Sequence, residues 1–177
     1  MRAEPIENHA IIGDLNTVAL VALDGSIDFF CFPRFDSPTI FAALLDPERG
    51  GSFQIAPELN NARRKQLYLP DSNILLTRFL AADGVVEISD FMPVGEEVPA
   101  HNLVRRVKAV RGEVAVRMVC APRFNYARSG HQCEVRGGGK EVLFTSQGPD
   151  KLVLRLRSSI PVQVENGDVV VHFTLRP

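Results

Sequence analysis

Three carboxylates crowd one short stretch of this chain, at Asp24, Asp28 and Asp36, and paired carboxyl groups are a common means of moving protons to and from a reacting bond. Each also has a plainer task. Asp24 precedes Gly25, and Asp-Gly supplies the backbone angles of a tight hairpin turn. Asp28 alternates with the apolar residues of a strand, where it hydrogen-bonds nearby backbone or faces a cleft. Asp36 lies in Arg34-Phe35-Asp36-Ser37, just before Pro38, where a short polar side chain caps a helix start or pairs with Arg34. Structural roles outweigh catalytic ones at all three positions.

The remaining reactive side chains are dispersed. His9, His101, His131 and His172 show neither helical nor zinc-ribbon spacing. His131 and Cys133 lie two apart and share a strand face, but two ligands do not make a metal site. No metal and no cofactor is called for. Cys31, Cys120 and Cys133 form no Cys-x-x-Cys pair, and the first and second sit in apolar strand patterns, where a free thiol packs as a small hydrophobe. Gly137-Gly138-Gly139 has no lysine-serine after it and reads as a hairpin turn rather than a phosphate cradle.

These residues are carried almost wholly by strands. An apolar patch at 10–12 and turn residues Gly13 and Asp14 precede a strand at 17–23, and its hairpin partner runs over 27–32. Ser37 as cap and Pro38 in the first helical position predict a short helix over 39–45, ended by Asp46-Pro47. Further strands are expected at 52–56, 63–69, 73–80, 85–92, 103–110, 113–121, 133–136, 142–146, 152–157, 162–164 and 169–175, separated by turn-forming residues. Val114, Val116, Met118 and Cys120 alternate along one face. The gap 93–101 reads as a solvated loop crossing from one sheet to the other. The pattern predicts an all-β fold, an antiparallel β-sandwich of the supersandwich kind with one short helix.

A chain of 177 residues suits one large domain, 1–177, with no linker inside it. The net charge of −1, from 20 basic and 21 acidic residues, favours neither nucleic acid nor an anionic membrane. Arg63-Arg64-Lys65 and Arg105-Arg106 flank strands without interleaved aromatics and read as solvated edge charge. No stretch is long and apolar enough to span a bilayer, and the acidic N-terminus is not a signal peptide, so a cytoplasmic protein is expected. Tryptophan is absent and only Tyr68 and Tyr126 are tyrosines, which counts against an independent sugar-binding module, while eleven phenylalanines suit a core.

Several blocks carry a resemblance. The run GSIDFFCFPRFDSPTIFAALL, with IENHAIIGDLNTVALVALD before it and ADGVVEISDFMPV and LVRRVKAVRGEV after it, resembles the N-terminal domain of glycoside hydrolase family 15 proteins, glucoamylase-like and trehalase-like. The resemblance runs from Pro5 to about Tyr126, including Arg123-Phe124-Asn125-Tyr126, where relatives commonly have aspartate at 125. It implies a β-sandwich that precedes a helical catalytic barrel, with the barrel supplying both carboxylates of an inverting α-glucoside hydrolysis and lying outside these residues. The expected partner is therefore that C-terminal barrel of the same parent chain, with an α-glucoside at the interface as a candidate ligand. Phe29, Phe30, Arg34, Phe35 and Asp36 are the candidate residues for a sugar-binding rim or a domain interface. The sequence stops directly after an alternating strand at Pro177, which predicts further chain beyond it. A free-standing glycan-binding or assembly β-sandwich is the alternative reading.

Overall fold

The computed structural model describes residues 4–95 and 101–177. All strand pairs in it are antiparallel, and three sheets share one core. The largest sheet is built from β1 (His9–Gly13), β2 (Val18–Ala22), β3 (Ser26–Cys31), β5 (Ser52–Pro57), β10 (Val114–Ala121), β15 (Asp168–Leu175) and β14 (Gln163–Glu165), in that spatial order, with β4 (Thr39–Phe41) beside β3. A second sheet is the meander β6 (Arg63–Tyr68), β7 (Leu75–Leu80), β8 (Val85–Phe91) and β9 (Val104–Arg111). The third joins β11 (His131–Arg136), β12 (Glu141–Ser146) and β13 (Val153–Arg157), with Gly137–Gly139 turning between the first two.

Alternating side chains decide which face each strand buries. Val114, Val116, Met118 and Cys120 of β10 all point into the core, while Ala115 and Arg117 between them are exposed. The same core takes Ile27 and Ile55 from the large sheet, Leu75, Phe79 and Ile88 from the second and Val142 and Phe144 from the third. This is the antiparallel β-sandwich that the strand pattern predicts.

Polar side chains close the seam between the large sheet and the second. Gln66 Nε2 of β6 donates to the carbonyls of Val21 and Ala22, each at 3.2 Å, and to Thr77 Oγ1 at 3.1 Å. The Tyr68 hydroxyl accepts from the Ile11 amide at 3.0 Å and donates to the Ile11 carbonyl at 2.7 Å. One phenol thus satisfies both open backbone groups of an edge residue that would otherwise offer itself to another strand.

Three expectations are corrected. The helix at 39–45 is not formed: Thr39, Ile40 and Phe41 are all buried, and β4 pairs with β3 through Phe30 with Phe41 and Cys31 with Thr39. A run apolar on both faces gains more from burial between strands than from a helix with one apolar stripe. Ser37 does not cap; its hydroxyl accepts from the Arg34 amide at 3.2 Å inside a preceding turn. Turn bonding begins only at Ala42, whose carbonyl accepts from Leu45 and Asp46, and it continues past Pro47 in one bond from the Gly50 amide to the Asp46 carbonyl at 2.7 Å, without building a helix. A short helical turn stands instead at Phe124–Ala127, and it is left-handed, with φ of 53°, 56° and 61° at Asn125, Tyr126 and Ala127. The expected sheet crossing at 93–101 fails because β8 and β9 are neighbours in one sheet; residues 96–100 of that loop lie outside the described residues. Arg105 is not solvated edge charge, since its side chain is 2% exposed. Arg106 is exposed, and so are Arg63, Arg64 and Lys65 along the edge strand β6.

Candidate functional site

The stretch from Asp24 to Asp36 divides between two places. At one end of the sandwich, Arg34, Phe35 and Asp36 form an exposed loop after the cis peptide Phe32–Pro33. Arg34 Nε lies 3.1 Å from Asp36 Oδ1, with both side chains more than two thirds exposed. The Phe35 amide donates to the Asn16 carbonyl at 3.0 Å, which ties this loop to the turn at 14–17. Phe35 and Leu15, the latter at φ 72°, present two large apolar side chains to solvent there. Phe29 is half-buried. Phe30 does not join them: it is 3% exposed and packs against Phe32 and Phe41 in the core. Strand alternation separates neighbours onto opposite faces, so two adjacent phenylalanines cannot both line one rim.

The turn beside this loop is fixed by Asp14. Its Oδ1 accepts from the amides of Asn16 and Thr17 at 3.0 and 2.9 Å, and its Oδ2 lies 2.5 Å from His101 Nδ1. Burial works to raise the Asp14 pKa, but the His101 hydrogen bond and the two amides outweigh it and hold the carboxyl below its ordinary range. His101 also meets the edge of Phe32, with ring centres 5.7 Å apart.

Asp28 belongs to a second place, on the outer face of the large sheet. Leu20 faces Phe29 and Val21 faces Ile27 across the hairpin, so Asp28 is the extra residue of a β-bulge. The bulge frees it from strict alternation, and its side chain is only 8% exposed. His9 Nε2 lies 2.8 Å from Asp28 Oδ2, and His9 Nδ1 lies 3.0 Å from the Pro5 carbonyl. A carbonyl only accepts, so Nδ1 carries a hydrogen, and the Nε2 contact is made by one further proton held between ring and carboxylate. Burial pushes the Asp28 carboxyl up, against the pull of His9. Burial pushes His9 down, but the hydrogen bond and charge of Asp28, with the Pro5 carbonyl, raise it overall. Asp28 Oδ1 is buried and without a partner.

A cleft of about 180 Å³ opens at this bulge, lined by Asp24, Ser26, Asp28, Glu48, Val119 and Arg123 among others. Asp24 is the turn residue its spacing predicts: Oδ1 accepts from the Ser26 amide and hydroxyl, and Oδ2 from Gln54 Nε2. Arg123 holds Asp168 in a two-pronged pair at 2.5 and 2.8 Å. That pair, the left-handed turn after it and the His9 contact escape sequence reasoning; only the asparagine at 125, tolerant of positive φ, hints at the turn. Asp24, Asp28 and Asp36 are thus committed separately, to a turn, a histidine and an arginine.

His131 and Cys133 do share a face, and both reach the Gly167 carbonyl, His131 Nε2 at 2.8 Å and Cys133 Sγ at 3.2 Å. Burial is the main reason the thiols of Cys31, Cys120 and Cys133 are all pushed up, away from nucleophilic character. Among the described residues no group of three or more histidine, cysteine or carboxylate side chains is arranged to hold a metal ion. No helix among them is long and apolar enough to cross a membrane.

The family described as trehalase-like, N-terminal, matches residues 1–159, which extends past Tyr126 into the third sheet. A trehalase of Mycolicibacterium smegmatis is 31% identical over 182 residues, covering 91% of this chain and 27% of that protein. A trehalase of Thermoplasma volcanium is 28% identical over 97% of this chain and 27% of its own length. Trehalase 1 of Sulfolobus acidocaldarius is 41% identical over 115 residues, 65% of this chain and 19% of that protein. The chain spans about a quarter of the length of the first two relatives and less of the third. No solved structure matches.

Proposed function

Because this chain belongs to the trehalase-like, N-terminal family, we propose that it is the non-catalytic β-sandwich of a larger glycoside hydrolase, packing on and stabilising that protein's catalytic part. The observation that carries the reading is the asymmetry of coverage: trehalases match 91 to 97% of this chain but give it only 27% of their own length. The geometry supports it, since the three clustered aspartates are each engaged in a structural contact and do not form an acid–base pair. The parent is of the glycoside hydrolase family 15 type, glucoamylase-like or trehalase-like, with an inverting mechanism run by a helical barrel downstream. Trehalose leads the candidate α-glucosides because the relatives are named trehalases.

Residues 1–177 make up a single N-terminal domain in this proposal, and one core shared by all three sheets supports that. The exposed loop with Arg34, Phe35 and Asp36 is the surface offered to the barrel and to sugar at its mouth. Its apolar Phe35 and Leu15 suit a covered interface, and its arginine and carboxylate suit hydroxyl groups. Phe29 stands at its margin, and Phe30 supports it from the core. Cytoplasmic residence belongs to the proposal as well, supported by three free cysteines.

The test compares the parent hydrolase with a form lacking this domain, and adds the 177-residue chain alone. Expected are no trehalose hydrolysis by the chain alone and a lower melting temperature and activity for the shortened parent. Within the parent, Arg34→Ala and Asp36→Ala raise KM more than they lower kcat. Hydrolysis by the chain alone, or a shortened parent with unchanged stability and kinetics, would overturn the reading.

A further inference from the structure

The cleft beside the Asp28 bulge is a site that the accessory role does not use. Its floor is the outer face of β3, β5 and β10, and its wall is the 42–51 loop. That loop is seated by backbone bonds from Ala42 to the Gly50 carbonyl and from Ala43 to the Gly51 carbonyl. Gly51 has no room for a side chain, since a Cβ there would stand 2.3 Å from the Ala121 carbonyl oxygen. Loop and sheet are therefore held at a fixed separation, and the cleft is built into the fold.

Among the described residues its lining is mainly acidic. Glu4, Asp24, Asp28 and Glu48 contribute carboxylates, of which Glu4 is paired with Arg64 at 3.3 Å, and the cation described in the lining, Arg123, is occupied on both prongs by Asp168. Asp28 adds an unmet demand. Its Oδ2 is held by His9, its Oδ1 is buried with no partner, and the hydroxyl of Ser26, two residues before it in the lining, donates to Asp24 instead. A buried carboxylate oxygen calls for a donor.

Three ligand classes fit poorly. An anion meets four carboxylates. A metal ion finds no cluster of ligands among the described residues. Among the described lining residues a sugar finds no aromatic ring to stack on, and its hydroxyls offer little beyond what water offers. An organic cation gains both attraction from the carboxylates and charge-assisted hydrogen bonds.

We propose that this cleft binds an organic cation bearing N–H donors, an alkylammonium or guanidinium group, which donates to Asp28 Oδ1 with Asp24 and Glu48 as flanking charges. A lysine or arginine side chain from elsewhere in the parent polypeptide and a free small amine present the same chemistry. The proposal stands apart from the accessory role, because it is read on this chain alone.

The test is titration of the 177-residue chain with n-butylammonium and with methylguanidinium at constant ionic strength, followed in amide NMR spectra. Saturable shifts confined to residues 24–28 and 43–48 are expected, with a Kd of about 1 mM. Tetramethylammonium, a cation without N–H donors, gives no saturation. Asp28→Asn weakens binding about tenfold or more. Glu48→Gln, on the exposed loop and neutral to folding, weakens it about threefold and keeps the test decisive should the buried substitution unfold the chain. Absence of saturation to about 100 mM of either probe, equal binding of tetramethylammonium, or unchanged affinity in both variants would overturn the proposal. Repeating the titration on the parent polypeptide separates the sources. Lost binding assigns the site to one of its own side chains, and retained binding assigns it to a free amine; each upholds the site.

Discussion

Arg105 and Asp90 form an ion pair sealed inside the sandwich, with Nε 2.9 Å from Oδ1 and side chains 2% and 0% exposed. The same guanidinium donates to the carbonyls of Phe53 and Gly25, at 2.5 and 2.7 Å, and lies 4.8 Å from the centre of the Phe53 ring. Arg105 and Asp90 sit on adjacent strands β9 and β8, whereas Phe53 lies in β5 of the large sheet and Gly25 in the turn between its β2 and β3. One cation therefore clamps the two sheets together. Arg105→Ala leaves the buried Asp90 carboxylate without its cation and removes the side-chain donor from the Phe53 and Gly25 carbonyls, and it should destabilise the chain by about 3–5 kcal/mol in urea unfolding. Arg106→Ala, on the exposed face next door, should change stability by less than about 0.5 kcal/mol. Equal effects from the two would refute the clamp.

Gly25 sets how closely the β2–β3 hairpin approaches its neighbour β5. It has φ +84°, and a Cβ there would stand 2.3 Å from the Ile55 carbonyl oxygen. Gly138 has a comparable φ of +64°, but nothing lies within 4 Å of the position a Cβ would take. Both alanine variants strain the backbone, and only one also collides. Gly138→Ala should cost about 1 kcal/mol and Gly25→Ala about 2–4 kcal/mol. Thermal unfolding of both variants measures the difference, and a smaller loss at Gly25 would mean that β5 shifts freely.

Sequence reading succeeded where one physical rule governs and failed where two compete. Strands such as β10 and β15 were legible because period-two alternation and sheet burial demand the same side chains. The segment from Thr39 was misread because a serine, a proline and an apolar run locally satisfy a helix start. Its partner residues Phe30 and Cys31 lie in β3, and pairing with them is invisible to local pattern. Arg105 was misread for the related reason that a charge on a strand is ordinarily solvated, and its acceptors Phe53 and Gly25 are more than fifty residues away. Asp28 lines a cleft, one of the two roles its strand position suggests, but its partner is the distant His9 ring rather than nearby backbone, and the bulge that aims it leaves no mark in residue type.

Asp14 should govern part of the acid side of the stability curve. Its carboxyl is held below the ordinary value of 3.8 in the folded chain, so the carboxylate contributes stability that is complete above that value and is lost as pH falls through the folded pKa. Asp14→Asn should therefore be less stable than the parent chain by about 2 kcal/mol at neutral pH. The gap should close as pH falls below 3.8. Urea midpoints of both proteins across that range decide it; a gap that persists undiminished at the acid end assigns the loss to shape rather than charge.

His9 and Asp28 push the other way, and both with the same sign. The His9 pKa is raised in the folded chain above 6.5, so its contribution is present below 6.5 and lost as pH rises through the folded value. The Asp28 pKa is raised above 3.8, so the folded chain holds a proton that the unfolded chain has released, and stability again falls as pH climbs through that window. The proton between the two rings of contacts is what joins the Pro5 segment to the bulge. His9→Gln keeps a hydrogen-bonding side chain but cannot carry the charge, so it should lose about 1–3 kcal/mol near pH 6. The deficit should shrink as pH rises past the folded His9 value, where the native ring is itself neutral. A deficit that widens with rising pH would mean that the folded His9 ring holds no extra proton, and the direction assigned to its pKa would have to be reversed.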